Sequence, residues 1–194
     1  MITPDEPRPD PAWVGATVYT LGHSTRPQEE LIDLLQHYGV ATLADVRTVP
    51  RSRHNPQFNR DELAVALPGA GIAYVHLARL GGLRKGLGAT SPNTAWRNHS
   101  FRGYADYMQT SEFQHGLSEL RELCATGPVA LMCAEAVPWR CHRSLIADAL
   151  FVRGMVVHEI QSRARTSPHR LTPFARLDGY RITYPGNDAT SEAR

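Results

Sequence analysis

Residues 127–154 read GPVALMCAEAVPWRCHRSLIADALFVRG, and the order of patterns within them decides the fold. Gly127-Pro128 breaks whatever precedes it. Val129 to Met132 is a continuous apolar run, as a parallel strand buried on both faces requires. A helix is expected over about residues 141–153, because Leu145, Ile146, Ala149 and Leu150 fall on one side at helical spacing and Gly154 supplies a stop. Met155 to Ile160 is again strand-like. Strand, helix and strand within about thirty residues make a βαβ unit, which demands parallel strands and a covered sheet.

The same alternation extends towards the N-terminus. Val18 to Leu21 is β-rich and ends in Gly22-His23-Ser24. A helix follows, with Leu31, Leu34, Leu35 and Tyr38 on one face, Thr25 and Gln28 at capping-box spacing, and Gly39 as the stop. Val40 to Val46 predicts a second strand. Residues 48–58 hold two prolines and predict a loop. Asn59, with Glu62 three residues on, opens a short helix through Leu63 and Leu67 that Pro68-Gly69 ends. Ile72 to Leu77 predicts a third strand, leading into Leu80-Gly81-Gly82. Residues 83–100 are a glycine-rich excursion, and Phe101 to Met108 and Ser111 to Cys124 predict helices. Tyr180 to Tyr184 is a candidate sixth strand after a basic loop. The expectation is α/β: one domain over residues 17–184, a mostly parallel open sheet of about five to six strands with helices on both faces. Residues 1–16, proline-rich and poor in apolar side chains, and residues 185–194, small and polar, are expected to be flexible arms.

Composition narrows the class. The 194 residues are 42% hydrophobic and 21% charged, ordinary for a globular domain. No apolar run is long enough to span a bilayer, and no apolar segment follows a basic start, so neither a membrane nor a secretory route is expected. The three cysteines, Cys124, Cys133 and Cys141, are expected to be reduced thiols of a cytoplasmic protein. The net charge of +2 is too small to imply nucleic acid by itself. Lys85 is the single lysine against twenty arginines. That bias fits both phosphate recognition by guanidinium groups and the codon usage of a GC-rich genome, and it is spread along the whole chain.

In open α/β sheets ligands bind beyond the carboxyl ends of the strands. The unusual polar residues fall there: His23 and Ser24 after the first strand, Asp45 and Arg47 at the second, His76 at the third, Cys133 and Glu135 at the fourth, His158 and Glu159 on the fifth. Their agreement across strands is the functional signal of this sequence. Against it stands the general polarity of any place where a chain leaves its core.

Several of these segments together carry a resemblance. Thr20-Leu21-Gly22-His23-Ser24, Asp45-Val46-Arg47 with Pro50, Ser52, Pro56 and Phe58, then Leu80-Gly81-Gly82, Cys133-Ala134-Glu135 and Cys141-His142-Arg143 resemble, in order, the signatures of a bacterial and archaeal domain of unknown function, number 488 in its series. The resemblance covers about residues 18–160. It implies a cytoplasmic α/β domain and a site at these positions, without naming a reaction.

The chemistry must come from the residues. Cys141 is expected near the start of a helix, with Arg140, His142 and Arg143 beside it, surroundings that lower a thiol pKa. The bland reading is a small apolar residue packing a helix end. A phosphatase-like loop would place an arginine six residues after Cys133; Trp139 stands there, with Arg140 one residue later. The eight-residue gap between Cys133 and Cys141 is too long for a zinc knuckle, although His23, His142 or His158 could complete a metal site in space. Asp45 and Glu135 could divide acid and base roles, or each could hold an arginine; residues two apart on a strand share a face, but Asp45 and Arg47 are too close in sequence to fix their directions. The loop from Arg47 through Arg51, Ser52 and Arg53 to His54 could capture an anion or simply be solvated. A second basic segment, with Arg165, His169 and Arg170, could extend a track for a polyanion.

The leading expectation is an enzyme acting on an anionic, phosphate-containing substrate, a nucleotide or nucleic acid among the candidates. Cys133 or Cys141 would be nucleophile or redox thiol, and Glu135 or His23 the proton carrier, with His142 and Asp45 in the same catalytic group. Ser24, Arg47, Arg51, Ser52 and Arg143 would bind substrate. The alternatives are a non-catalytic nucleic-acid-binding module and a Cys/His metal-binding protein. No dinucleotide-binding glycine turn follows the first strand and no GK[ST] sequence occurs, so no cofactor is named.

Overall fold

The computed structural model describes residues 10–13 and 15–186. The helices are α1 (Gln28–His37), α2 (Arg60–Gly69), α3 (His99–Tyr107), α4 (Ser111–Cys124) and α5 (Arg143–Phe151). The strands are β1 (Val18–Gly22), β2 (Thr42–Asp45), β3 (Ala73–His76), β4 (Val129–Cys133), β5 (Val157–Ser162), β6 (Arg165–Pro168), β7 (Arg176–Asp178) and β8 (Arg181–Thr183). Six strands form one sheet in the order β3-β2-β4-β1-β5-β6, parallel except for the edge strand β6. The α/β architecture is the one expected from the sequence.

Alternation along the strands sorts side chains into two cores. Val129, Leu131 and Cys133 of β4 face a cluster built with Phe101, Phe113, Leu117, Leu145, Ile146 and Leu150, so α3, α4 and α5 cover that face. Ala130 and Met132 face Leu31, Leu35, Leu63 and Leu67 of α1 and α2. Each such leucine, fully removed from water, contributes about 1.5–3 kcal/mol. The topology has a consequence above β4. The loops leaving β1 and β2 turn to the α1–α2 face, whereas the loop leaving β4, between them, turns to the α5 face. Neighbouring loops that part in this way open a crevice at the carboxyl ends of their strands.

The register brings those ends level. Gly22 lies opposite Cys133, and Asp45 opposite Met132. The ladder runs on past the strands: His23 N–H donates to Cys133 O at 2.9 Å, Ser24 N–H to Ala134 O at 3.0 Å, and Val46 N–H to Met132 O at 2.9 Å. Only glycine fits at position 22, because a Cβ there would overlap the Glu135 carbonyl.

Local details differ from the sequence expectations. The sixth strand of the main sheet is Arg165–Pro168, within the segment expected to be a basic loop. The candidate strand at Tyr180–Tyr184 instead gives β8, paired with β7 in a separate hairpin whose Leu177 and Ile182 pack on the α5 side. Neither capping box forms. Pro27 caps α1 without a side-chain bond, and the Gln28 amide donates to Gln57 O at 2.6 Å. Asn59 Oδ1 accepts from Ser52 N–H at 2.7 Å rather than from its own helix. The helix expected over 141–153 spans Arg143–Phe151, because a 3₁₀ turn at Pro138–Arg140 precedes it and Cys141 is extended. The arm expected over 1–16 is packed from Asp10 onward: Asp10 N–H donates to Arg153 O and Trp13 is buried in the core. The rest of that arm, residues 1–9 and 14, and residues 187–194 of the expected tail lie outside the described residues.

Candidate functional site

A cleft of about 510 Å³ opens above the carboxyl ends of β4, β1 and β2. His23, Arg47, Arg51, Ser52, Cys133, Glu135, Cys141 and His142 all line it. Three other residues expected at the site, Ser24, Asp45 and Arg143, do not, and two of these form its foundation.

Arg143 enters from the first turn of α5 and is fully buried. Its Nη1 donates to Cys133 Sγ at 3.1 Å and to Glu135 O at 3.0 Å, and its Nη2 to Glu159 Oε1 at 3.1 Å. Thr20 holds the other oxygen of Glu159. Arg143 Nε has no partner among the described residues, an orphaned donor of the kind that functional sites retain. Burial pushes the Glu159 carboxyl up, against the opposing pull of Arg143 and Thr20.

The two thiols beside Arg143 are held in different states. The Cys133 thiol is brought down to about 7. The largest cause is a hydrogen bond from the Cys141 thiol; burial opposes it, and Arg143 and the Glu135 backbone add to it. Cys141 is driven well above the ordinary thiol range, because it is the donor to Cys133 and is itself buried. Of the two thiols, Cys133 is thus the more readily ionised. Cys141 sits at an extended residue before α5 rather than on the helix dipole.

Asp45 ends β2 and Arg47 lies just beyond it, and the two pair directly. Arg47 Nε and Nη2 meet the two Asp45 oxygens at 2.8 and 2.5 Å, and Tyr74 Oη donates to Asp45 at 2.8 Å. Arg47 Nη2 also reaches Phe58 O at 2.7 Å. Asp45 is thus committed to an arginine and does not face Glu135 across the cleft. Glu135 Oε1 accepts from Val137 N–H at 3.1 Å. His23 is buried, stacked on Phe58 at 4.3 Å, and lowered by burial to about 4. Its Nδ1 lies 2.8 Å from Ser24 O, which makes Nδ1–H the donor and leaves Nε2 to Arg47 Nη1 at 3.4 Å. Ser24 adopts φ 52°, a left-handed conformation uncommon away from glycine.

His142 is also lowered to about 4 by burial. Its Nε2 lies 2.9 Å from Val46 O, its ring packs on Tyr104 at 4.9 Å, and a Cβ on Gly82 would overlap it. The Leu-Gly-Gly segment is glycine at 82 because an imidazole occupies the space. The Ser52 hydroxyl is a turn group, accepting from Asn55 N–H at 3.0 Å. Arg51 and Arg140 are exposed on the rim, and neither guanidinium has a partner among the described residues.

The sequence reading left other wall residues unassigned. Asn98, Ser100 and Phe101 line the cleft from the start of α3, with Thr48, Val49 and Leu83. Glu159 was visible as a strand-five acid, but its partner was not. His76 and His158 are elsewhere: His76 Nε2 is 2.8 Å from Arg47 O, and His158 stacks with Tyr19. Among the described residues no three of His, Cys, Asp and Glu converge to hold a metal ion, and no helix is long and apolar enough to cross a membrane.

A family model described as "Domain of unknown function DUF488" matches residues 27–150. The match takes in the second strand end, the cysteine segment and Arg143, and begins beyond Ser24. No curated protein and no solved structure matches the chain.

Proposed function

The chain belongs to the DUF488 family, and for it we propose an enzyme in which the Cys133 thiolate attacks an anionic, phosphate-containing substrate held at the cleft rim by Arg51 and Arg140. The observation that carries this reading is the 3.1 Å contact of Arg143 Nη1 with Cys133 Sγ on the floor of an open cleft. A thiolate is the reactive form of cysteine, and a buried, hydrogen-bonded guanidinium keeps it available at neutral pH. Two guanidinium groups without partners offer planar donor forks to phosphate oxygens.

In this reading Sγ of Cys133 bonds to phosphorus while the ester oxygen leaves with the bond electrons. Water then attacks the thiophosphoryl adduct, releasing phosphate and restoring the thiolate. Of the two proton carriers considered, His23 is buried and tied to Ser24 O and Arg47, whereas Glu135 lines the cleft beside Cys133 and is assigned the role on position. Asp45 and Arg47 shape the wall. A non-catalytic nucleic-acid module has no use for a thiol in this state.

The test is alkylation of Cys133 against pH, with and without inorganic phosphate, beside hydrolysis of a panel of phosphate monoesters and nucleotides. A midpoint near 7, protection by phosphate, and hydrolysis lost in Cys133→Ser support the proposal. A midpoint near the ordinary value of about 8.5, or turnover that survives Cys133→Ser, overturns it.

A further inference from the structure

The second thiol supports Cys133 in that reaction but forms no bond of its own to the substrate. Cys141 is buried and lines the same cleft as Cys133; its Sγ lies 3.6 Å from His142 Nδ1, and its thiol is within hydrogen-bonding reach of Cys133. Both cysteines are free thiols. They belong to different elements, the end of β4 and the segment before α5, and the 3₁₀ turn at Pro138–Arg140 folds the chain back so that they meet. A nucleophilic thiolate in contact with a second thiol is the arrangement from which a disulfide closes once the first sulfur is oxidised.

We propose that Cys133 and Cys141 form an oxidation site for small hydroperoxides, closing to an internal disulfide that shuts the cleft to its anionic substrate. The proposal rests on the reading of Cys133 as the thiolate. In the first step Cys133 Sγ attacks the terminal peroxide oxygen. The O–O bond breaks, the alcohol or water leaves with the electron pair and a proton, and Cys133 becomes a sulfenic acid. In the second step Cys141 loses its proton and its sulfur attacks Cys133 Sγ. The S–O bond breaks and the hydroxide leaves as water with that proton. The two thiols are oxidised by two electrons and one peroxide is reduced. A dithiol reductant reverses the bond by exchange.

Cys124 supplies an internal control. It lies on α4, away from the cleft lining, and burial raises its thiol to about 11. Trypsin cuts after Arg121, Arg140 and Arg143, so a bridge joins the peptide 122–140 to the tripeptide 141–143.

The experiment exposes the reduced full-length protein to hydrogen peroxide, denatures and alkylates it, and maps the peptides by mass spectrometry. The expected result is the 122–140/141–143 linkage through Cys133, alkylated Cys124, and reversal by dithiothreitol. In Cys141→Ser the reaction stops at a Cys133 sulfenic acid that dimedone traps. Cys133 carried to sulfinic acid in the wild-type protein while Cys141 stays alkylated overturns the proposal, and so does peroxide that leaves both thiols untouched. The peroxide-free alkylation profile separates the two readings. A midpoint near 7 with no linkage removes the oxidation site and leaves the nucleophile standing. An ordinary midpoint removes the nucleophile and, with it, the basis of this proposal.

Discussion

Arg143 and Glu159 meet at 3.1 Å beneath the cleft, the arginine wholly buried and the carboxylate nearly so. The pair sets the position of the guanidinium, whose Nη1 then reaches both the sulfur of Cys133 and the carbonyl of Glu135. A buried charge left alone is costly, so removing one partner is worse than removing both.

Arg143→Gln is therefore expected to destabilise the domain by about 3–5 kcal/mol in urea unfolding. In protein that still folds, the Cys133 alkylation midpoint is expected to rise above 7, because Arg143 contributes to holding it there. A double variant, Arg143→Met with Glu159→Leu, should recover much of the stability while the thiol keeps only the part of its shift that Cys141 supplies. An unchanged midpoint in both variants would remove Arg143 from the account of the thiolate.

Asp45→Asn breaks a bidentate ion pair and a tyrosine hydrogen bond in a fully buried place. A loss of about 3–5 kcal/mol is expected. Tyr74→Phe removes only one partner of Asp45 and should cost about 1–2 kcal/mol. Equal costs for the two would mean that the arginine does not depend on Asp45.

Acid should unfold the domain through its histidines. His23 and His142 are lowered by burial from 6.5 to about 4, so the unfolded chain binds protons that the folded one refuses. Their contribution is complete above pH 6.5 and is lost as the pH falls towards 4, up to about 3 kcal/mol for each. Glu159, raised by burial, works in the opposite sense, so the variant is the cleaner measurement. A His23→Gln protein should show a flatter fall of Tm across that interval than the wild type.

Arg51→Ala and Arg140→Ala sit on an exposed rim and are expected to change stability by no more than about 0.5 kcal/mol. Together they should abolish protection of Cys133 by phosphate. Persistent protection in the double variant would move the anion site elsewhere in the cleft.

Gly82→Ala places a methyl group in the His142 ring. A cost of about 1–3 kcal/mol is expected from overpacking, read as a lower Tm. The neighbouring Gly81 is also crowded, by Thr48 and Ala78, so it is no neutral control; exposed Gly69 is.

The fold was legible because strand and helix periods alternate from Val18 to Ile160, and parallel strands need helical crossovers. Edge and hairpin strands were harder: Arg165–Pro168 is short, polar and exposed, so hydrophobic pattern says little there. At the site, the strand-end residues could be found, but their directions could not. A fixed spacing from Cys133 pointed to Trp139 and Arg140. The 3₁₀ turn carries both outward, and the arginine that reaches the sulfur lies ten positions on, inside the next helix. The capping boxes failed because tertiary partners, Gln57 O and Ser52 N–H, claimed the side chains first. Glu159 was a polar residue on a strand until the sheet order set β5 beside β1 and brought it to Arg143.

The imidazole of His142 touches Val46 just past β2, Gly82 at the start of the glycine-rich excursion, and Tyr104 on α3. It is the residue next to Cys141 in the chain. A ring wedged among these three segments ties the start of the glycine-rich excursion, α3 and the chain leaving β2 to the backbone that carries the second sulfur, so one wall of the cleft and the Cys141 segment pack as a single unit.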